Sequence, residues 1–277
     1  MRGYAGKFLE IDLSTEKISE ASISEDVLRS YIGGRGLSAK ILWDRLGDRW
    51  EMVDPFSPDN TLLVLTGPLT GFYPGGRVCV SGKSPQSNGM VGSTVAGEFG
   101  VNLKCAGFDG LIITGKAAKP CYIAVFDDDV SLVDATHIWG KDGKQTLKIL
   151  TDEGRRELKV KFPEYGELVE PSVLYIGRAG ENRSRIASVM AKWTHAAGYG
   201  GYGGVMGSKN LKAIVAKGLG PLPDIEHMDK VAELIDIVCK KCYKAELFRR
   251  WGTGAAGYVV GAKTSSEPVR NWQEEWH

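Results

Sequence analysis

The 277-residue chain carries 43% hydrophobic and 25% charged residues at a formal net charge of +1, the balance of a globular protein rather than a disordered one. Acids and bases are interspersed, without the basic stripe or polybasic tail that a nucleic-acid or membrane-surface partner requires. No apolar run nears the ~20 residues that span a bilayer, and the opening MRGYAGKFLEIDL has no signal layout, so a cytoplasmic location is expected.

Lys7–Leu13 alternates Leu9, Ile11 and Leu13 with Glu10 and Asp12, the pattern of a half-buried strand. Ser24 opens a helix to about Ile32. The turn Gly33-Gly34-Arg35-Gly36 then leads into a second helix over Leu37–Leu46. Strands are predicted at Thr61–Thr66, Arg77–Ser81, Gly110–Thr114, Cys121–Phe126 and Val130–Val133, and a helix at Lys141–Thr151. Val173–Ile176, Ile186–Met190 and Lys212–Ala216 are strands again. After Gly218 a Gly/Pro linker gives way to Met228–Arg250, where Val231, Leu234, Ile235, Val238 and Leu247 recur at helical spacing. The residues thus divide into an α+β domain, 1–218, and a helical segment, 219–277. The closing Trp272, Trp276 and His277 read as an interrupted sequence.

Glycine accounts for 36 residues, about twice the usual share of roughly 7%. The glycines fall in clusters, which means turns or backbone brought close to a ligand or another chain segment. The chain also repeats weakly. Leu62–Leu65, Gly67, Arg77, Ala96-Gly97, Asn102-Leu103-Lys104, Leu111–Thr114 and Gly115 are followed in the same order by Val173–Ile176, Gly177, Arg185, Ala197-Gly198, Asn210-Leu211-Lys212, Ala213–Ala216 and Gly218. Such a repeat implies two facing glycine-lined loops, suited to a two-fold ligand or to two ligands. Chance similarity of short elements is the alternative.

The run Ala196–Gly204 contains G-x-G-x-x-G, but Lys192-Trp193-Thr194-His195 replaces the preceding strand and no acid follows until Asp224. A dinucleotide site therefore lacks its structural context. Close packing of glycine loops and phosphate binding by bare backbone both remain open. Ser93-Thr94-Val95-Ala96-Gly97 is a second small-residue stretch. Arg77, after Gly75-Gly76, is either an anion contact or a surface residue. Cys239 and Cys242 form a C-x-x-C without a second pair, best read as two helix residues with no joint role. The five cysteines are scattered, which suggests no disulfide framework. His137, His195 and His227 show no ligand spacing, and no catalytic triad, Walker loop or HExxH motif occurs.

Several stretches resemble the aldehyde ferredoxin oxidoreductase family: Gly33–Leu37, Gly67-Pro68-Leu69-Thr70-Gly71, Gly75-Gly76-Arg77, Lys83-Ser84-Pro85, Leu103–Asp109, His137–Lys141, Gly180-Glu181-Asn182, Val205–Ile214 and Pro268–Gln273. They span nearly the whole chain in the family's order. The resemblance implies an α+β N-terminal domain of two β-sheets related by a pseudo-two-fold, with flanking helices, followed by a partial helical domain. It also implies two molybdopterin-type cofactors chelating one tungsten or molybdenum, with a magnesium ion bridging their phosphates. By the same resemblance, aldehydes are oxidised to carboxylic acids and electrons pass through a 4Fe-4S cluster to ferredoxin.

Carried onto this chain, the resemblance makes Arg77 a phosphate or pterin contact. Thr94 and Ala196 supply backbone carbonyls on the magnesium side, and Ser93, Ala96, Gly97 and Gly198 lie beside the cofactors. His195 and Tyr199 stand where many members carry arginines, and a histidine has fewer donors than the five-donor guanidinium. Members are more than twice this length, and the cluster cysteines are expected beyond residue 277. A split subunit, a gene fragment and a truncated chain are each compatible with that. Two functions follow: the cofactor-binding part of an aldehyde oxidoreductase, or a non-catalytic remnant or cofactor-holding module that keeps the fold with or without the metal. Either way a C-terminal partner chain or self-association is expected.

Overall fold

The computed structural model describes residues 1–72, 76–163, 170–264, 270–271 and 273–274; Gly75, Trp272, Trp276 and His277 lie outside them. The chain forms two compact units, Met1–Glu226 and His227–His277.

The first unit holds two six-stranded mixed sheets. One contains β1 (Phe8–Asp12), β2 (Lys17–Ala21), β3 (Leu62–Leu65), β4 (Val78–Lys83), β5 (Met90–Val95) and β6 (Gly110–Thr114), in the order β2-β1-β6-β3-β4-β5. The other contains β7 (Cys121–Phe126), β8 (Asp129–Asp134), β9 (Ser172–Tyr175), β10 (Val189–Ala191), β11 (His195–Ala197) and β12 (Leu211–Lys217), in the order β8-β7-β12-β9-β10-β11. The second order is the first with six added to every label. Pairing directions repeat too: β1/β6 and β7/β12 are parallel, and the remaining pairs in each sheet are antiparallel. The two halves are a structural duplication, although the register matches Ala96 with Gly198, one residue out of step with the Ala96-Gly97 and Ala197-Gly198 pairing read from sequence.

The helices follow the same plan. α1 (Glu25–Tyr31) and α2 (Gly34–Leu46) lie between β2 and β3, and α3 (Phe99–Cys105) between β5 and β6. In the second half α4 (Gly143–Lys161) lies between β8 and β9. The one-turn α5 (Arg178–Glu181) follows β9, and α6 (Tyr202–Ser208) lies between β11 and β12. Alternation along each strand sorts side chains between two layers. Leu9, Ile11, Leu62, Val64, Leu111 and Ile113 of the first sheet share one core with Ile123, Val125, Leu174 and Ile214 of the second, and with Phe99, Leu103, Tyr202 and Val205 of α3 and α6. The opposite faces are covered by α1 and α2 on Leu63, Leu65 and Ile112, and by α4 on Tyr122, Phe126 and Val173. A bulge between Leu211 and Ala213 changes the phase of β12, so that Leu211 and Ile214 both face the central core.

Some boundaries differ from the sequence expectation. α2 starts at Gly34, inside the predicted turn. The chain enters it through a γ-turn centred on Ile32 (φ 62°, ψ −62°), closed by the Gly33 N–H donating to the Tyr31 carbonyl at 2.7 Å. α4 continues ten residues beyond Thr151, capped at its start by Asp142, whose carboxylate accepts from the Gln145 N–H. Asn102-Leu103-Lys104 lies in a helix, whereas Asn210-Leu211-Lys212 begins a strand, so that part of the sequence repeat is not structurally equivalent.

The second unit contains α7 (Met228–Lys244), α8 (Glu246–Trp251) and α9 (Thr253–Thr264). The predicted single helix over Met228–Arg250 breaks at Ala245, whose ψ of 66° is not helical. Cys239 and Cys242 are free and exposed on α7. Among the described residues no helix is long and apolar enough to cross a membrane.

Candidate functional site

β5 and β11 are the terminal strands of the two sheets and pack against each other. Their registers are equivalent. Thr94 faces Cys79 and Val95 faces Val78, while Ala196 faces Met190 and Ala197 faces Val189. Thr94 and Ala196 thus hold corresponding positions, as do Ser93 and His195, and Ala96 and Gly198. The junction is short and direct. The Ser93 hydroxyl accepts from the Tyr199 N–H at 3.3 Å, and Cδ2 of His195 lies 3.9 Å from where Gly97 would carry a Cβ. Arg77, immediately before β4, donates from Nη1 to Thr94 Oγ1 at 3.3 Å. Fold topology therefore gathers Arg77, Ser93, Thr94, Ala96, Gly97, His195, Ala196, Gly198 and Tyr199 around one line where the two halves meet. Ala196, Gly198 and Tyr199 are exposed, and His195, Thr94, Ala96 and Gly97 are half-buried.

Two grooves flank that line and are related by the same duplication. The first, about 580 Å³, lies between α2 and β5 and is closed by Gly198 and Tyr199 from the other half. The second, about 450 Å³, lies between α4 and the β10–β11 turn and is closed by Gly97 and Glu98 from the first half. The first is walled by Arg35 and Gly92–Thr94. The second contains Lys144, Lys192 and Trp193, with Lys144 Nζ 6.0 Å from the Trp193 ring centroid.

Two residues of this region escaped sequence reasoning. Arg35 was visible only as part of a glycine-rich stretch; its Nε donates to the Gly92 carbonyl at 2.6 Å. The other is Tyr202, fully buried at the start of α6. Its hydroxyl accepts from the Val91 N–H at 3.2 Å and lies within hydrogen-bonding reach of the Gly82 carbonyl, at 3.1 Å, and of the Val91 carbonyl. Burial raises its pKa far above the usual phenol value. Tyr202→Phe is expected to lower stability by about 1–3 kcal/mol, because buried strand groups of the first half lose their partner. Urea denaturation measures this, and a loss under about 0.5 kcal/mol would mean that water replaces the hydroxyl.

The glycine-rich run after β11 is largely engaged by protein. The Gly200 N–H donates to Gln86 Oε1 at 3.0 Å, the Gly200 carbonyl accepts from Ser84 Oγ at 2.9 Å, and the Gly203 N–H donates to the Ala187 carbonyl at 2.9 Å. At Gly200 and Gly203 the run therefore packs against protein. Arg185, matched to Arg77 by sequence, donates to the Pro85 carbonyl at 3.0 Å instead of reaching the junction. Under the first groove, burial pushes the Cys79 thiol pKa up, moderated by its Ser81 hydrogen bond and the Arg35 charge. Among the described residues no cluster of His, Cys, Asp or Glu is placed to hold a metal ion.

A profile of the aldehyde ferredoxin oxidoreductase N-terminal domain matches residues 8–218. The chain is 52% identical over 277 residues, all of its own length and 44% of the relative's, to an aliphatic sulfonate oxidoreductase, WOR-like subunit, of Pyrococcus furiosus. It is 40% identical over 279 residues, 99% of its length and 43% of the relative's, to the tungsten-containing aldehyde ferredoxin oxidoreductase of Pyrococcus horikoshii. Among solved structures it is similar to the active site complex BamBC of benzoyl coenzyme A reductase in complex with 1,5-dienoyl-CoA. There the TM-score is 0.78 at 34% identity, covering 88% of this chain and 35% of that one. The chain spans under half the length of these curated relatives. With its duplicated sheets and a profile match over most of its length, the chain belongs to the aldehyde ferredoxin oxidoreductase family.

Proposed function

We propose that residues 1–218 hold a bis-molybdopterin tungsten (or molybdenum) cofactor along the line between β5 and β11, as the cofactor-binding part of an oxidoreductase that converts aldehydes to carboxylic acids. The observation that carries this is the register equivalence of Thr94 and Ala196 on two facing edge strands, which offers a two-fold ligand matching backbone on both sides. The residues present suit such a group. Arg77 has no carboxylate partner among the described residues and offers a guanidinium to a phosphate. Gly97 and Gly198 leave backbone accessible to close approach. Thr94 and Ala196 would supply carbonyls to a bridging magnesium ion, with Ser93, Ala96, His195 and Tyr199 beside the cofactor. When bound, the pterin-held metal supplies two-electron redox chemistry, with a 4Fe-4S cluster and ferredoxin as the electron outlet. The chain's own residues bind and orient. His195 offers fewer donors than an arginine would, so the second half grips phosphate more weakly than the first.

The 52% identity to a sulfonate oxidoreductase subunit, against 40% to an aldehyde enzyme, supports a second substrate class, an aliphatic sulfonate. A C-terminal partner or second copy would complete the assembly in either case. Elemental and pterin analysis of protein purified anaerobically from its native host tests the cofactor assignment. One tungsten or molybdenum and two pterins per chain are expected, and folded protein lacking both overturns the assignment in favour of a non-catalytic remnant without cofactor. Dye reduction by that preparation with aldehydes and with sulfonates then separates the two substrate classes.

A further inference from the structure

We infer that Arg35 is a further anion contact of the first groove, gripping a phosphate-bearing arm of the two-fold ligand from the α2 side, an inference that rests on the cofactor assignment proposed above. Its side chain crosses β5 directly over Gly92. A Cβ at Gly92 would lie 2.1 Å from Arg35 Cγ and 3.0 Å from its Cβ and Cδ. Glycine inside a strand weakens it and marks a place where something must approach the backbone; here that something is the arginine stem. The 2.6 Å bond from Nε to the Gly92 carbonyl then holds the guanidinium of a side chain that lines the groove together with Ser93, Thr94, Gly198 and Tyr199. Among the described residues the partner of Arg35 is the Gly92 carbonyl and not a carboxylate. A planar guanidinium held by one nitrogen, with its two terminal donors uncommitted, is built for bidentate capture of phosphate oxygens.

The duplication supplies an independent line of support. Arg35 is the second residue of α2 and lies over Gly92 in β5, the strand that contains Thr94. Lys144 is the second residue of α4 and lies over Trp193, just before the strand containing Ala196. Both halves thus begin the corresponding helix with a cation near the corresponding stretch of chain, one a fork over Gly92 and the other a point charge resting on an indole. Arg77 approaches the junction from the opposite end of β5, so Arg35 and Arg77 bracket Ser93 and Thr94.

The test uses the full chain produced in a tungstate-supplied host that makes the cofactor, with wild type, Arg35→Gln, Arg35→Lys and Gly92→Ala compared. The readouts are tungsten content and the fluorescence of oxidised pterin remaining after timed gel filtration, together with the melting midpoint of unloaded protein. Arg35→Gln is expected to lose pterin roughly tenfold faster than wild type, and Arg35→Lys to fall between them. Gly92→Ala, which displaces the arginine without removing its charge, should also lose pterin faster. Unloaded midpoints of the two Arg35 variants should match wild type, since the side chain is exposed. Equal retention by wild type and Arg35→Gln overturns the inference. So does faster loss accompanied by a matching fall in the unloaded midpoint, which assigns the side chain to the fold. Wild-type protein that carries no pterin at all would instead refute the cofactor assignment itself.

Discussion

Glu181→Ala is expected to destabilise the first unit by about 3–5 kcal/mol. The side chains of Glu181 and Lys212 are 6% and 0% exposed and pair directly. Both carboxylate oxygens also accept from the Gly140 N–H, at 3.0 and 2.9 Å. Truncation leaves the Lys212 ammonium buried, with only a long contact of 3.4 Å to the Lys141 carbonyl. The Gly140 N–H, on an exposed residue, also loses its protein partner. Burial already holds the Lys212 pKa below the ordinary lysine value, opposed by the Glu181 hydrogen bond and charge. Removing Glu181 lowers it further. A lysine whose folded pKa lies below its unfolded one penalises folding fully at pH below the folded value, and the penalty fades as pH rises toward the unfolded value. The deficit of Glu181→Ala should therefore shrink between pH 7 and pH 10, and Lys212→Met in the same background should recover part of it at pH 7. Urea denaturation at the two pH values measures both effects. A deficit below about 1 kcal/mol at pH 7 would show that water reaches the pair.

Gly207→Ala is the second large effect, at about 3 kcal/mol or more. The added Cβ would lie 1.9 Å from the Gly180 carbonyl oxygen and 2.6 Å from its carbon. Backbone cannot step aside as the end of a side chain can, so α5 and α6 would have to separate. α6 begins with Tyr202, which ties the second half to β4 and β5, and it follows the Gly198–Tyr199 segment at the junction. The substitution should therefore lower the urea midpoint and weaken cofactor retention together. Gly254→Ala is the matched control. It sits in α9 with nothing within 4 Å of the new methyl, and it should be neutral or stabilising by up to about 1 kcal/mol. A Gly207→Ala midpoint equal to wild type would mean that α5 and α6 are not in close backbone contact.

β3, β6, β7 and β12 were legible in the sequence because burial on two faces leaves short continuous apolar runs, and β1 because its aliphatic residues alternate with Glu10 and Asp12. What stayed hidden was the material at the junction. β5 reads Met-Val-Gly-Ser-Thr-Val, and α6 reads Tyr-Gly-Gly-Val-Met-Gly-Ser. Three glycines in a seven-residue helix oppose its intrinsic preference by up to about 1 kcal/mol each. Only packing explains them: methyl groups at Gly203, Gly204 and Gly207 would meet the backbone of Ser188, Ser184 and Gly180. The small-residue stretches around Ser93 and Ala196 could be noticed, yet their adjacency required the fold. Arg35 could not be separated from a surface arginine, because its significance lies in Gly92, 57 positions away. Lys104 and Lys212, matched as a pair by sequence, serve different loops. Lys104 donates to the Gly3 and Gly67 carbonyls, and Lys212 binds Glu181.

No strand crosses from one sheet to the other: β1–β6 pair only among themselves, and β7–β12 likewise. The two halves are covalently joined by the single connection between Thr114 and Cys121. The unit is thus an internal dimer, two subunits in all but the peptide link. A true homodimer binding a two-fold ligand must present identical groups to both of its ends, and every mutation is copied onto both sides. Fusion removes that obligation. One half can keep a guanidinium while the other settles for an ammonium over an indole, and one strand can present Ser93 where its twin presents His195. A ligand with two interchangeable ends then acquires a distinguishable left and right, which a symmetric host could never confer.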